Sequence, residues 1–367
     1  MVSERAPLLP QFQQDGYSTS KCWRTSTKKG GFLLVICACF GLLALWSGAS
    51  SPDGSSTSSQ TKATLTINDA KLNFLVIGDW GREGSYNQSL VASQMGKVGK
   101  QLDIQFVVST GDNFYDTGLD NVSDPAFTSS FTDIYTDPSL QTTWYAVLGN
   151  HDYMGNVLAQ LSDDLVSRDP RWFCRRAFQL NFAICNATLA GSCNATLALF
   201  FLDTNPFIDE YWLPTNISKF DWRGLLPRTE QLQSQLDELT EAVKSSSATW
   251  KIVVAHHTIR SVGVHGDSIE LVQKLLPILE EHGVDVYING HDHILQHIKR
   301  PECAVHLFTS GGGSKSYAGL KAYTEEQGVQ FVQDGQGFLA VSARPDSILF
   351  TFHDVFGDPV YNFLLQK

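Results

Sequence analysis

Residues 72–81 read LNFLVIGDWG, and residues 286–293 read VYINGHDH. In each stretch an apolar run ends at a glycine and is followed at once by carboxylate or imidazole side chains. Runs that are apolar at nearly every position are typical of strands buried on both faces of a sheet. Because ligands collect at the carboxyl ends of strands in α/β proteins, the pattern predicts an α/β fold with a polar site at one edge of its sheets.

Polar clusters follow apolar runs at five places along the chain. A single Gly-Asp pair at a strand end is an ordinary turn, but five clusters carrying Asp, Asp, Asn, His and His-x-His form a strong signal. A glycine before the polar residue allows a sharp turn and close backbone approach, although the fourth cluster has alanine there. The clusters are Gly78-Asp79-Trp80-Gly81, Gly111-Asp112-Asn113-Phe114-Tyr115, Gly149-Asn150-His151-Asp152, Ala255-His256-His257-Thr258 and Gly290-His291-Asp292-His293.

The rest of the body alternates apolar strands with amphipathic segments. Alternation that gives way to a strand-rich final third predicts two sheets packed together with helices outside. Helical periodicity covers residues 90–102, 229–245 and 268–282. Strands are predicted at residues 72–77, 104–109, 144–148, 197–202, 250–254, 284–288, 305–309, 337–342 and 348–352.

An uncharged apolar run, GFLLVICACFGLLALWSGA, occupies residues 31–49. Its length is close to the ~20 residues that cross a bilayer as a helix. Basic side chains outnumber acidic ones in residues 1–30, so the positive-inside rule places that segment in the cytosol. We interpret the run as an uncleaved signal anchor of a single-pass type II membrane protein. The alternative is a signal peptide cleaved near Ala49, which would release a secreted protein.

The chain is thus predicted to contain a cytosolic tail, a transmembrane anchor, a Ser-rich linker and one folded domain, at residues 1–30, 31–49, 50–62 and 63–367. The stretch ERAPLL at residues 4–9 is similar to the acidic dileucine sorting signal of vacuolar and lysosomal membrane proteins, with a disordered tail as the alternative. We expect the folded domain to be lumenal or extracellular and to carry N-glycans. The N-x-S/T sequons that support this lie at Asn87, Asn121, Asn186, Asn194 and Asn216.

The net charge of −11 argues against a nucleic-acid partner, which would require a basic face. It does not exclude a small phosphate ester, because a bound metal ion can override the global sign. Four cysteines of the body could form one or two disulfides, and their pairing stays open. They are Cys174, Cys185, Cys193 and Cys303.

The donors in the five clusters suit metal ions. Carboxylate, amide and imidazole groups bind hard to borderline ions, and no thiolate occurs in the set. A carboxylate can bridge two ions, and two ions ~3.5–4 Å apart can clamp the attacking and leaving oxygens of a phosphoryl group.

These clusters resemble the metallophosphoesterase superfamily. Gly-Asp-x-x-Tyr at 111–115 resembles the purple acid phosphatases within it, because other branches lack a tyrosine at that point. Gly-Asp-Asn-Phe-Tyr and Gly-His-Asp-His are also similar to the small, tartrate-resistant type. The resemblance extends from about Leu72 to Phe363. It implies a four-layer α/β/β/α sandwich, here preceded by one transmembrane helix.

The resemblance also implies a role for each donor. A ferric ion would be held by Asp79, Tyr115 and His293, and Asp112 would bridge it to a divalent Fe, Zn or Mn ion on Asn150, His256 and His291. The trivalent cation would deprotonate the phenol, and tyrosinate-to-iron charge transfer would then make the protein purple. The choice between His256 and its neighbour His257 rests on motif alignment.

Two further histidines, His151 and His265, match outer positions of the family and would assist catalysis by stabilising phosphate oxygens and protonating the leaving group. Asp292 is interpreted as a loop-stabilising residue, and His297 and His306 as structural.

The resemblance implies an acid phosphatase that hydrolyses phosphomonoesters with a metal-bound hydroxide as nucleophile. The alternatives are a phosphodiesterase or nucleotidase on the same scaffold, or a catalytically idle, membrane-tethered binding module.

Overall fold

The computed structural model describes residues 64–67, 71–184, 195–225, 227–317 and 319–367. The predicted tail, anchor and linker, residues 1–62, lie outside the described residues, as do the sequons at Asn186 and Asn194. In the part of the chain that the structure describes, no helix is both long enough and apolar enough to cross a membrane.

The strands alternate with helices through the first two thirds of the domain and then follow one another directly. In chain order the described strands are β1 Thr64–Ile67, β2 Leu72–Ile77, β3 Phe106–Ser109, β4 Thr143–Ala146, β5 Trp172–Cys174, β6 Phe178–Ile184, β7 Ala195–Phe201, β8 Trp250–Val254, β9 Val286–Asn289, β10 Leu295–Ile298, β11 His306–Ser310, β12 Val329–Gln333, β13 Gly337–Ala343, β14 Ser347–Asp354 and β15 Pro359–Gln366.

The helices lie between these strands, and most are short. The α-helices among the described residues are α1 Gln88–Leu102, α2 Pro125–Phe127, α3 Asn150–Met154, α4 Val157–Gln160, α5 Asp163–Arg168, α6 Arg228–Ser245, α7 Ile269–Lys274 and α8 Leu276–Glu281. Single turns of other helix types occur at Thr128–Thr132, Pro138–Leu140, Asn205–Phe207, Asp209–Trp212, Ile217–Lys219 and Glu325–Gln327.

Two sheets form the centre of the domain. Within the described residues, one sheet is 7-stranded in the order β15-β14-β13-β2-β3-β4-β5, and the other is 8-stranded in the order β1-β6-β7-β8-β9-β11-β10-β12. Strands β2 to β5 are parallel, and so are β7, β8, β9 and β11. The carboxyl ends of the strands predicted to bear the polar clusters therefore share one edge in each sheet.

Apolar side chains fill the space between the sheets and beneath the helices. Phe106 of β3 stacks on Phe182 of β6 across the gap, with ring centroids 4.8 Å apart. Met95 of α1 is buried on the outer face of the 7-stranded sheet, and Leu239 of α6 is buried on the outer face of the 8-stranded sheet. Since each such side chain stabilises the fold by about 1.5–3 kcal/mol, these layers hold the two sheet edges in place. The predicted two-sheet α/β fold is confirmed.

The sequence predicted the central strands well and the edge strands poorly. The bounds of β2 and β8 are the predicted ones. The edge strands β1, β5, β12 and β15, together with β6 and β10, were not predicted. An edge strand such as β15 alternates between exposed and partly buried residues, so it lacks a continuous apolar run. The helix predicted at 268–282 is divided, because Pro277 in the first turn of α8 offers no N–H to continue α7.

Candidate metal centre

Loops from both sheets meet at the edge where the parallel strands end. Asp79, Asp112 with Tyr115, and Asn150 follow β2, β3 and β4 of the 7-stranded sheet. His256, and His291 with His293, follow β8 and β9 of the 8-stranded sheet. Contacts across this junction include His291 N–H to Asp79 Oδ2 at 3.0 Å. All seven predicted donors are therefore brought together by the fold.

The first group of donors surrounds the Tyr115 hydroxyl. This hydroxyl oxygen lies 3.0 Å from Asp79 Oδ1, 2.9 Å from Asp112 Oδ2 and 3.0 Å from His293 Nε2, and its single proton can be donated to either carboxylate. His293 Nε2 is itself 3.5 Å from Asp79 Oδ1. Four potential ligand atoms, one each from Asp79, Asp112, Tyr115 and His293, thus lie within 3.5 Å of at least one other member of the group.

The second group lies on the other side of Asp112. His256 Nε2 is 3.2 Å from Asn150 Oδ1 and 3.5 Å from Asp112 Oδ1. The His291 ring lies next to it, with ring centroids 5.1 Å apart. Asp112 contacts both groups through its two carboxylate oxygens, since Oδ2 lies 2.9 Å from the Tyr115 hydroxyl and Oδ1 faces His256.

Hydrogen bonding distinguishes His256 from His257. His256 Nδ1 lies 2.9 Å from the carbonyl oxygen of Thr110, which leaves Nε2 facing the other donors. Both ring nitrogens of His257 already have partners, Thr204 Oγ1 and Tyr211 OH, each at 2.9 Å. Possible ligand atoms of His256, His257 and His291 all lie within 4.8 Å of one another. Distance alone therefore does not show whether His256 or His257 is the metal ligand. The geometry favours His256.

Backbone strain accompanies the proposed ligands. Asp79, Asp112 and His291 have φ angles of 63°, 50° and 71°, in the left-handed region that non-glycine residues seldom adopt. Close packing of the loops requires the glycines beside them. A Cβ on Gly149 would lie 2.2 Å from Asp112 Oδ1, and one on Gly290 would lie 2.4 Å from Asp79 Oδ2.

The electrostatics of the site favour a bound cation. Burial, reinforced by the Asp112 charge, raises the pKa of Asp79 well above its ordinary value. At Asp112 burial opposes ionisation, but the nearby imidazoles, His256 first, outweigh it and lower the pKa. Burial also lowers the pKa of His293 to about 3, which keeps this ring neutral and able to bind metal. Neutral imidazoles and crowded carboxylates fit hard to borderline metal ions, whose charge would relieve the repulsion.

Asp152 is a supporting residue that the sequence did not reveal. Its carboxylate accepts from the backbone N–H groups of Gly149, Asn113 and Phe114 at 2.8, 2.9 and 3.2 Å, and from the Gln160 amide at 2.8 Å. The position directly after His151 was the available signal, but the contacts require the folded chain.

A cavity of about 310 Å³ opens over the donors, and both predicted outer histidines reach it. The His151 ring is 4.5 Å from that of Tyr115, and the His265 ring is 4.2 Å from that of His291. Val264 and Tyr317 also line the cavity, and neither was predicted from the sequence.

Asp292 positions one wall of this cavity. Its Oδ1 accepts from the backbone N–H of His265 at 2.8 Å, and its Oδ2 accepts from that of Gly266 at 3.3 Å. This geometry agrees with the predicted loop-stabilising role.

Comparisons with known proteins complete the description of the site. The family model of calcineurin-like phosphoesterases matches residues 72–295. The chain is 51% identical to purple acid phosphatase 3 of Arabidopsis thaliana, over 80% of this chain and 77% of that protein. It is 32% identical to tartrate-resistant acid phosphatase type 5 of Homo sapiens, over 66% of this chain and 73% of that protein.

Solved structures share the fold. GAP50, described as the anchor in the inner membrane complex of Plasmodium, superimposes with a TM-score of 0.69 and 25% identity, over 81% of this chain and 89% of that one. A purple acid phosphatase from yellow lupin (Lupinus luteus) seeds superimposes with a TM-score of 0.53 and 15% identity, over 81% of this chain and 54% of that one. The second likeness supports the fold alone.

Proposed function

The chain belongs to the purple acid phosphatases of the metallophosphoesterase superfamily and is a metal-dependent acid phosphatase. From this premise we propose that it hydrolyses phosphomonoesters at a dinuclear centre of one ferric and one divalent ion. The observation that carries the proposal is the position of the Tyr115 hydroxyl, within 3.0 Å of oxygen or nitrogen donors of Asp79, Asp112 and His293.

The two groups of donors supply the two ion sites. Asp79, Tyr115 and His293 would hold the ferric ion, because a phenolate and two further donors suit a trivalent hard cation. The divalent ion, Fe, Zn or Mn, would be held by Asn150, His256 and His291. Asp112 would be shared, since its two oxygens face different groups.

The ions would supply Lewis-acid stabilisation of the phosphoryl oxygens and an activated water as nucleophile. Side chains of the protein line the cavity in which the phosphate ester would bind. His151 and His265 lie beside different donor groups, at Tyr115 and His291, and both line the cavity. From there they would stabilise the phosphate oxygens and donate a proton to the leaving alkoxide. Asp292 would keep His265 in place through its backbone hydrogen bond.

Metal analysis combined with a substrate panel tests the proposal. Full-length protein purified in detergent is expected to contain two metal ions per chain, at least one of them iron, to absorb in the visible range, and to cleave an aryl phosphomonoester faster than a diester. Asp112→Ala is expected to lose the metals and the activity together. Full activity in Asp112→Ala, or a colourless wild-type protein without iron, would contradict the proposal.

The likeness to GAP50, which is described as an anchor, bears on the alternative of a membrane-tethered binding module. All seven proposed ligands are present here, and an idle module would have no physical need for them. Turnover of the aryl phosphate by the wild type, absent in Asp112→Ala, would exclude the alternative.

We further propose that residues 31–49 anchor the protein in a membrane of the secretory pathway. The alternative is a secreted protein from which the leader has been cleaved. Among the described sequons, Asn87 and Asn121 are exposed, as glycan attachment requires. Retention in the membrane pellet after alkaline extraction, with a mobility shift on glycosidase treatment, is the expected result. A soluble protein lacking its first residues would support the secreted alternative.

A further inference from the structure

The guanidinium of Arg82 lies against the face of the Tyr115 ring, with Cζ 3.5 Å from the ring centroid. This is well inside the ~6 Å limit for an attractive cation–π contact. The hydroxyl of the same ring contacts Asp79, Asp112 and His293. The positive charge of Arg82 therefore lies against the ring of Tyr115, the residue proposed to bind the ferric ion.

Contacts on two sides hold Arg82 there. Its Nη1 donates to Asp116 Oδ1 at 2.7 Å, and its backbone N–H donates to Oε1 of the buried Gln88 at 2.9 Å. The Arg82 side chain is 8% exposed, whereas that of Asp116 is 81% exposed, so solvent screens the carboxylate more than the guanidinium.

The guanidinium of Arg82 is not fully paired. Its Nε is buried and has no hydrogen-bond partner among the described residues. Because an unpaired donor on a buried charged group is unfavourable, the contact with the Tyr115 ring is one source of stabilisation for the charge at this position.

We propose that Arg82 is a positioning residue that weakens electron donation from Tyr115 to the ferric ion, an inference that rests on the proposed function. A positive charge on the face of a π system lowers the energy of its electrons. Because Arg82 contacts the ring itself, it lowers the energy of the phenolate electrons more than that of the acceptor orbitals on the ion. Charge transfer from the phenolate then requires more energy, so the visible band lies at shorter wavelength than it would without Arg82. The same charge disfavours the higher oxidation state of the nearby ion and raises its reduction potential.

A second cation extends this arrangement toward another proposed ligand of the same ion. Lys315 Nζ lies 5.3 Å from the Tyr317 ring centroid, and Tyr317 stacks on His293 with ring centroids 4.3 Å apart. Because Tyr317 separates the ammonium from His293, the effect of Lys315 on the ion is smaller than that of Arg82.

The test compares metal content, visible spectrum and iron midpoint potential in the full-length, metal-loaded protein. Arg82→Gln shifts the band to longer wavelength and lowers the potential while two metals per chain are retained. Arg82→Lys keeps the charge and lies between the wild type and Arg82→Gln. Arg175→Gln is the matched control, since Arg175 also covers an aromatic ring, Phe173 at 5.1 Å, and pairs with an exposed carboxylate, Asp163 at 2.7 Å. It leaves both readouts unchanged.

A band and potential in metal-loaded Arg82→Gln that coincide with those of the wild type overturn the inference. If Arg82→Gln takes up no iron, Asp116→Asn decides, because it keeps the guanidinium and removes the charge that partly neutralises it. A shift to shorter wavelength then supports the inference, and an unchanged or longer wavelength overturns it. A colourless wild-type protein overturns the proposed function and this inference together, whereas a coloured wild type with unmoved variants overturns this inference alone.

Discussion

The Asp152 carboxylate accepts a hydrogen bond from the backbone N–H of Asn113 at 2.9 Å, and this contact joins the loops after β3 and β4. The first loop carries Asp112 and Tyr115, and the second carries Asn150. The same carboxylate also accepts from Gly149 N–H at 2.8 Å. Asp152 thus sets the spacing of proposed ligands without contacting the cavity itself.

Asp152→Ala is expected to destabilise the metal-free protein by about 2–4 kcal/mol, because each buried N–H left unpaired costs ~1–3 kcal/mol. Metal affinity and activity should fall with stability, since the two loops lose their common anchor. Urea unfolding and metal titration measure both effects. Asp164→Asn, in the exposed first turn of α5, is the control and should match the wild type. Wild-type metal affinity in Asp152→Ala would contradict the role given to this carboxylate.

His256 and His257 are expected to behave differently when replaced by alanine. His256→Ala should lose the divalent ion and keep the visible colour, because Tyr115 lies in the other donor group. Its activity should fall by more than the ~10–100-fold that changes to supporting contacts produce.

His257→Ala should retain both metals and lose about 1–3 kcal/mol of stability, since the Tyr211 hydroxyl would lose its partner and the Thr204 hydroxyl would keep only the backbone N–H of residue 257. Metal content per chain distinguishes the two variants. Loss of a metal ion from His257→Ala, with none lost from His256→Ala, would show that His257 is the ligand instead of His256.

The buried ion pair of Asp169 and Arg171 predicts a pH-dependent contribution to stability. Arg171 Nη2 lies 2.6 Å from Asp169 Oδ2, and both side chains are under a tenth exposed. Burial would raise the pKa of Asp169, but the hydrogen bonds from Arg171 outweigh it and lower the pKa. The stabilisation is therefore present above the ordinary carboxyl pKa of ~3.9 and is lost as the pH falls through the lower folded value.

Asp169→Asn is expected to cost about 3–5 kcal/mol at neutral pH, the range for breaking a buried pair. The difference from the wild type should shrink below about pH 4, because the unfolded carboxyl group is then protonated. Unfolding free energies across pH 3–7 measure it, and a difference that is constant down to the lowest pH would contradict the prediction.

His297 and His306 form a buried pair away from the metal centre, with His297 Nε2 3.0 Å from His306 Nδ1. Burial lowers the pKa of His297 to about 3 and that of His306 to about 4. The unfolded rings bind protons near pH ~6.5, so the free energy of unfolding should fall as the pH drops from there toward the folded values.

The double variant His297→Leu/His306→Leu should show a weaker fall in stability between pH 7 and pH 4.5 than the wild type. Thermal or urea unfolding at several pH values measures the slope. Equal slopes in the two proteins would show that the pair does not titrate on unfolding. The single variant His282→Leu, at the partly buried position directly after α8, controls for the loss of a histidine elsewhere in the fold.

The sequence by itself determined the central strands and the donors that follow them. Strands buried on both faces are apolar at nearly every position, so β2 and β8 could be located from the apolar runs in the sequence. The chemical types of the donors, and the tyrosine three residues after Asp112, likewise depend only on local order along the chain.

Only the tertiary structure gave the distances between the donors, the hydrogen-bond partners that distinguish His256 from His257, and the surroundings of Tyr115. Asp112 contacts both groups because the ends of two separate sheets meet there, and no local pattern encodes that distance. Both ring nitrogens of His257 have hydrogen-bond partners more than 40 residues away in the chain. Arg82 reaches the Tyr115 ring from the loop after a different strand. Such contacts depend on packing between segments remote in sequence, which periodicity and motif spacing do not record.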